Sequence, residues 1–267
     1  MASPVPDPEG DPVFESPVLL SIDDGVAVLT LNRPAEANAL DFALVAALDE
    51  AVARVAGDET CRVVVLLGNG PRFCAGGDIG VMASSADRGD VLRRLADAAH
   101  AVVRRLDALE VPVVAGVHGA AAGAGLALTL SADLVVAGES ARFLSGYIAI
   151  GLTPDCGTSW LLPRAVGTGR ALELTLTNRA LTAAEAHEWG IVTRVCPDTQ
   201  VAAEALGLGR ALADGPAAAA LGRTRRLVRG ASLLSFTEAL DAESASIAQA
   251  GAGAEAGALI DGFLRRR

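Results

Sequence analysis

The longest uncharged stretch of the chain constrains its fold most strongly. Residues 111–132 form 22 consecutive positions without Asp, Glu, Lys or Arg, a length that can span a bilayer. The stretch also holds Pro112, His118 and several glycines, and its apolar residues are largely alanine. Glycines permit close approach of two backbones. We therefore expect a buried strand, a glycine turn and a helix here rather than a membrane span.

Composition narrows the class of protein. The chain has 267 residues, of which 51% are hydrophobic and 20% charged, so it can bury a large core. Its formal charge of −10 disfavours nucleic-acid binding. All 22 basic residues are Arg, which excludes a catalytic lysine. The cysteines are scattered without CxxC spacing and predict reduced thiols in a cytoplasm: Cys61, Cys74, Cys156 and Cys196.

Strand and helix patterns alternate along the first 200 residues, which favours an α/β core. Asp41 is placed to cap a helix that runs to about residue 55. Residues 1–15 predict a disordered lead-in, residues 16–200 the core, and residues 201–267 a region of Ala-rich helices. Further predicted strands cover 18–22, 26–31, 63–67, 113–117, 134–137 and 141–144, and a long helix covers 87–109.

Two small-residue loops each follow a strand predicted to be buried. The first runs from Phe73 to Ile79 and the second from Gly119 to Leu126. Free backbone N–H groups in such turns can stabilise a developing negative charge, and the second loop also opens a helix. Spacing alone leaves open the alternative that these glycines only allow tight turns. The three histidines lie far apart, so no metal site is expected.

Short motifs follow one another in order along residues 18–200. They are Asn32-Arg33-Pro34, Phe73-Cys-Ala-Gly-Gly-Asp-Ile79, Val117-His-Gly-Ala-Ala-Ala-Gly-Ala-Gly125, Ser131-Ala-Asp133, Gly151-Leu-Thr-Pro-Asp155, Leu181-Thr-Ala-Ala-Glu-Ala-His187 and Trp189-Gly-Ile-Val192. Together they resemble the crotonase (enoyl-CoA hydratase/isomerase) family. The resemblance implies an α/β spiral of repeated β-β-α units with a C-terminal α-helical region that packs in a homotrimer or a dimer of trimers.

The same resemblance implies a site for acyl-CoA thioesters. The backbone N–H groups of Gly77 and Ala124 would hold the thioester oxygen and stabilise an enolate. CoA enters as part of the substrate, and no separate cofactor is implied. The positions that would contact the substrate or its CoA are Arg33, Ala75, Asp78, Ile79 and Tyr147.

Both glutamates of the family's hydratases are missing. Aligned by the flanking motifs, their positions hold Ala127 and Tyr147. The alanine side chain has no ionisable group, and tyrosine is a poor base at pH 7. Because general acid–base help is worth roughly 10²–10⁴-fold per group, these replacements argue against conventional hydration.

Asp155 is the remaining candidate for acid–base chemistry. Its position resembles the acid/base of the family's isomerases, including the ring-opening isomerase of epoxidised phenylacetyl-CoA. The alternative is that Asp155 only caps the following helix. The sequence thus predicts an enoyl-CoA isomerase of fatty acid metabolism that uses Asp155. Two other readings stay open: a thioester hydrolase or decarboxylase, and an acyl-CoA-binding pseudoenzyme.

Overall fold

The computed structural model describes residues 16–266 as a two-sheet α/β fold followed by helices. The predicted lead-in over residues 1–15 lies outside the described residues. The strands are β1 (Val18–Asp23), β2 (Val26–Leu31), β3 (Val63–Gly68), β4 (Val113–Val117), β5 (Ala120–Ala122), β6 (Leu134–Gly138), β7 (Arg142–Leu144), β8 (Leu181–Thr182) and β9 (Arg194–Cys196).

Helices connect the strands and then continue alone to the C-terminus. They are α1 (Phe42–Ala56), α2 (Ile79–Ala83), α3 (Arg88–Ala108), α4 (Ala124–Ser131), α5 (Thr158–Val166), α6 (Thr168–Thr177), α7 (Ala183–Glu188), α8 (Val201–Ala213), α9 (Ala218–Gly230), α10 (Phe236–Gly251) and α11 (Ala254–Arg265). The predicted helix cap is confirmed, because the Asp41 carboxylate accepts the Leu44 N–H at 2.8 Å.

The chain winds as a spiral between two sheets. The large sheet has the order β1-β2-β3-β4-β6-β9, and the small sheet has the order β5-β7-β8. Strand β1 pairs antiparallel with β2, and the later neighbours in the large sheet are parallel. Strands β4 and β6 lie in the large sheet, and each is followed directly by a strand of the small sheet. The predicted spiral of β-β-α units with a C-terminal helical region is confirmed.

The uncharged stretch folds as β4, β5 and α4, and all five residues of β4 are buried. No helix among the described residues is long and apolar enough to cross a membrane. The strand β5 was not predicted, because three alanines carry no alternating pattern. This strand lies within the predicted second loop and pairs with β7 in the small sheet.

The central strands are apolar at every position because both faces of the large sheet are covered. Val64 and Leu66 join the core shared with α1 and α3, whereas Val63 and Val65 pack with α8 on the opposite face. Helix α8 begins at Val201, the predicted boundary of the helical region, and packs on the large sheet.

Helix α9 is joined to the core by arginines. The Arg225 side chain, only 4% exposed, donates to Asp133 at 2.6 Å and to carbonyl oxygens at the end of α3. Arg229 binds the other Asp133 oxygen at 2.6 Å and the carbonyls of Ser131 and Ala132 at the end of α4. The guanidinium groups thus satisfy the carbonyls that two helix C-termini leave unpaired. Helices α10 and α11 bury none of their described residues.

Candidate active site

The first loop presents the N–H of Gly77 to a cavity. The Leu40 N–H donates to the Gly76 carbonyl at 2.7 Å, and the Asp78 N–H donates to the Leu40 carbonyl at 2.9 Å. In a trans peptide the N–H points opposite to the carbonyl of the preceding residue, so the Gly77 N–H points away from Leu40. It has no hydrogen-bond acceptor among residues 16–266, and Gly77 lines the cavity.

The second loop presents the N–H of Ala124 to the same cavity. Gly123 has φ +53° and turns the chain from β5 into α4. Ala124 is the first residue of that helix, where backbone N–H groups have no intrahelical acceptor. Within the described part of the chain its N–H is unbonded, and Ala124 lines the cavity. The partial positive charge of the helix N-terminus adds to this donor.

Backbone pairing holds the two loops side by side. The Cys74 N–H donates to the Ala120 carbonyl at 3.1 Å, and the Ala122 N–H donates to the Cys74 carbonyl at 3.0 Å. A Cβ built on Gly76 would lie 2.9 Å from the Ala122 oxygen and 3.6 Å from the Ala124 nitrogen. The structure therefore brings both predicted oxyanion donors, Gly77 and Ala124, to one wall of the cavity.

The cavity has a volume of about 340 Å³, within the range of small-molecule sites. Among the described residues, Asp155 is its only acidic lining side chain and Arg93 its only basic one. Much of the remaining lining is apolar: Leu40, Ile79, Met82, Leu92, Leu95, Ala96, Ala99, Ile150 and Leu152. A single carboxylate therefore faces a largely apolar space beside two backbone donors.

Tyr147 and Asp155 form a hydrogen-bonded pair within this cavity. The Tyr147 hydroxyl donates to Asp155 Oδ1 at 2.7 Å. Burial and the negative charge of Asp155 raise the pKa of Tyr147 well above its ordinary value, so the phenol stays neutral and acts as a donor. The tyrosine ring lies close to the second loop, since a Cβ built on Gly123 would be 3.8 Å from Tyr147 Cζ.

A strained turn follows Asp155. The Thr158 N–H donates to the Asp155 carbonyl at 2.9 Å, and the intervening Cys156 and Gly157 have φ +50° and +77°, as in a type I′ turn. A left-handed non-glycine residue costs roughly 1–3 kcal/mol. The Cys156 N–H is held by His100 Nε2 on α3 at 3.1 Å, which stabilises the turn beside the carboxylate.

The helix-capping alternative for Asp155 is wrong. The N-cap of α5 is Gly157, and no side chain caps this helix. The Asp155 side chain instead lines the cavity, where its carboxylate accepts a hydrogen bond from the Tyr147 hydroxyl. Sequence reasoning missed His100, which it considered only as a metal ligand. The sequence holds no signal for this role, since the partner is a backbone N–H 56 positions away.

The two cysteines near the site are buried thiols. Burial raises the pKa of Cys74 to about 12. Burial and the negative charge of Asp155 raise the pKa of Cys156. Because the thiolate is the nucleophilic form, neither residue is a nucleophile at neutral pH. No group of three or more His, Cys, Asp or Glu residues in the described chain is arranged to hold a metal ion.

The remaining predicted site residues divide into two sets. Ala75 and Ile79 line the cavity. Arg33 and Asp78 are not among its lining residues; Arg33 Nη1 donates to Asp78 Oδ2 at 3.2 Å and to the Ala39 carbonyl at 2.7 Å. The other Asp78 oxygen accepts the Gly80 N–H at 2.9 Å and caps α2. These two side chains therefore brace the first loop.

Ala127 provides no functional group at the cavity. It lies in α4, is fully buried in the apolar core and is not a lining residue. Of the two positions where hydratases of the resembled family carry glutamate, one thus contributes only packing and the other contributes the neutral phenol of Tyr147.

Comparison with known proteins identifies the family of this fold and site. The family model for enoyl-CoA hydratase/isomerase matches residues 21–267. A 1,2-epoxyphenylacetyl-CoA isomerase of Escherichia coli is 37% identical over 255 residues, covering 94% of this chain and 96% of its own. The chain therefore belongs to the enoyl-CoA hydratase/isomerase family, the crotonases, and is an acyl-CoA enzyme of that family.

Similar proteins carry names for different reactions. A 4-chlorobenzoyl coenzyme A dehalogenase-2 of Arthrobacter is 37% identical over 195 residues, covering 72% of this chain and 71% of its own. The crystal structure of an enoyl-CoA hydratase from Mycobacterium smegmatis superposes with a TM-score of 0.89 at 33% identity, covering 95% of this chain and 98% of that chain. The names of its relatives therefore do not determine the reaction of this chain, which depends on the residues of its own site.

Proposed function

We propose that this chain is a cofactor-free enoyl-CoA isomerase that moves a double bond within the acyl group and uses Asp155 to carry the proton. The observation that carries the proposal is the single carboxylate facing a largely apolar cavity beside two unbonded backbone donors. The E. coli relative named as an isomerase, similar over nearly its whole length, supports the same class of reaction.

The proposed reaction needs only groups that line the cavity. The thioester oxygen accepts the N–H groups of Gly77 and Ala124, which makes the neighbouring C–H more acidic and stabilises the resulting enolate. The ionised Asp155 removes a proton from one carbon. The electron pair shifts along the carbon chain, and Asp155 returns the proton to a different carbon. The double bond moves, no water is consumed, and the carboxylate is regenerated.

Hydration would need more than this cavity supplies. Water must be activated by a base, and a proton must be delivered to carbon, which family members with two carboxylates accomplish by general acid–base catalysis. Here Ala127 is buried among apolar side chains and Tyr147 remains protonated. A single carboxylate can shuttle one proton between two carbons, so isomerisation fits the residues that remain.

The test replaces Asp155 with asparagine, which keeps the size of the side chain and removes its basic oxygen. We expect kcat for conversion of a 3-enoyl-CoA to the conjugated 2-enoyl-CoA to fall by roughly 10²-fold or more, with binding of the CoA thioester retained. Absorbance of the conjugated product follows the reaction. Asp214→Asn, exposed at the end of α8, is the matched control and keeps full activity. Activity of Asp155→Asn within a few-fold of wild type would overturn the proposal.

We also propose that the chain works as a homotrimer or a dimer of trimers in the cytoplasm. Large apolar side chains are exposed on the C-terminal helices, among them Phe236 at 79% and Ile247 at 74%. Scattered exposed apolar residues are ordinary, but a helix pair that buries none of its residues needs a partner surface to be stable. Family membership supports assembly through these helices.

A further inference from the structure

The hydrogen bond between Tyr147 and Asp155 distinguishes the two oxygens of the carboxylate. Oδ1 accepts the tyrosine hydroxyl at 2.7 Å. We propose that Tyr147 is a positioning residue that holds Oδ1 and thereby leaves proton transfer to Oδ2. This inference rests on the proposed function, because it assigns a task to a residue that acts through Asp155.

A carboxylate without such a partner is poorly oriented. The terminal torsion of an aspartate is broad and nearly two-fold symmetric, so its two oxygens exchange places readily. A phenol that donates to one oxygen fixes the plane of the group and lowers the basicity of that oxygen. The second oxygen then meets the acyl carbons from a constant direction, which proton transfer between the two carbons on either side of the shifting double bond requires.

Tyr147 is itself held firmly enough to impose this orientation. Its backbone carbonyl accepts the N–H groups of Ile150 and Leu152, both at 3.1 Å. Its ring lies against Gly123, the residue that precedes the Ala124 donor. Tyr147 therefore fixes Asp155 relative to the loop that holds the thioester oxygen, so that the acid/base and the oxyanion donors keep one geometry.

The other residues near Asp155 do not orient its carboxylate through a strong hydrogen bond. The Cys156 thiol lies beside the carboxylate, but a thiol is a weak donor. His100 Nε2 accepts the Cys156 N–H and so fixes the backbone of the turn without touching the carboxylate. Arg93 lines the cavity, and its guanidinium pairs with Asp90 at 2.6 Å and Asp97 at 3.4 Å. Tyr147 is thus the strong donor that orients the carboxylate.

The experiment uses Tyr147→Phe in the full chain, since phenylalanine keeps the ring and removes only the hydroxyl. We expect kcat for the 3-enoyl-CoA to fall roughly tenfold with KM within twofold of wild type. Thr175→Val removes a half-buried hydroxyl that bonds only within α6 and should leave both quantities unchanged.

A double-mutant cycle separates positioning from direct contact with the substrate. If Tyr147 acts through Asp155, adding Tyr147→Phe to Asp155→Asn produces no further loss. An equal loss in both backgrounds would overturn the positioning role, as would an unchanged kcat for Tyr147→Phe beside an inactive Asp155→Asn. An active Asp155→Asn would instead overturn the proposed function together with this inference.

Discussion

Gly125 lies so close to the first loop that one methyl group would push the two loops apart. A Cβ on this residue would lie 2.3 Å from the Cys74 carbonyl oxygen and 2.9 Å from the Cys74 Cβ. Because Cys74 also pairs with β5, neither side can yield without disturbing the site. Only glycine fits at position 125, because the two loops are in contact there.

Gly125→Ala is therefore expected to damage the site through its backbone. We expect an overpacking loss of about 1–3 kcal/mol in the free energy of unfolding and a fall in kcat of at least tenfold. Urea unfolding and the isomerase assay measure the two effects. The matched variant Ala124→Gly keeps the backbone N–H and should retain kcat, at a helix-propensity cost of at most about 1 kcal/mol because Ala124 is the first residue of α4. Equal activity losses in both variants would contradict the account.

Single residues show how far a sequence can predict this site. Gly77, Ala124 and Asp155 lie in motifs with recognisable spacing, and the structure brings all three to one cavity. The sequence left open what Tyr147 does, because its contact with Asp155 depends on the path of the intervening turn. For His100 the partner is a peptide group in a distant segment, and no spacing rule anticipates such a contact.

Secondary-structure elements were predictable where hydrophobic periodicity is strong. The β1–β2 hairpin, α1, and the buried strands β3 and β4 follow from their apolar patterns. The short strands β5 and β8, with three and two residues, have too few positions to show alternation. The attachment of α9 was also hidden, because it depends on the buried Arg225 and the partly buried Arg229, which in sequence resemble an ordinary charged helix face.

This attachment is testable at Arg225. Arg225→Met keeps much of the side-chain volume but leaves Asp133 and the carbonyls at the end of α3 without their buried partner. We expect a loss of about 3–5 kcal/mol in the free energy of unfolding. Arg226→Met on the same helix removes an exposed pair with Glu110 and should cost at most about 1 kcal/mol. Chemical denaturation measures the free energy of unfolding of both variants. Similar losses in the two variants would refute a special role for Arg225.

At the scale of the whole molecule, the α10–α11 pair is the part whose single-chain packing is incomplete. Helix α10 contacts α9 and α11, and neither α10 nor α11 has a buried residue among those that the structure describes. The sequence predicted their helical character from composition, yet composition cannot say which surface covers them. The proposed oligomerisation through this region would cover their exposed apolar side chains.

Sedimentation equilibrium tests the assembly. We expect a mass that is three or six times the 27.0 kDa of one chain. A chain that ends before Phe236 lacks α10 and α11 and should sediment as a smaller species, while circular dichroism still reports the α/β core. A full-length chain that stays monomeric at micromolar concentration would contradict the proposal, and so would a truncated chain that still forms trimers.

The most direct test of the account is the identity of the product formed from a 3-enoyl-CoA by the wild-type protein. Liquid chromatography with mass detection separates the 2-enoyl-CoA, which keeps the mass of the substrate, from the 3-hydroxyacyl-CoA, which carries one added water. A cavity with one proton-shuttling carboxylate predicts that the 2-enoyl-CoA accumulates and persists. Formation of 3-hydroxyacyl-CoA at a comparable rate would contradict the central claim that this site moves a proton and does not add water.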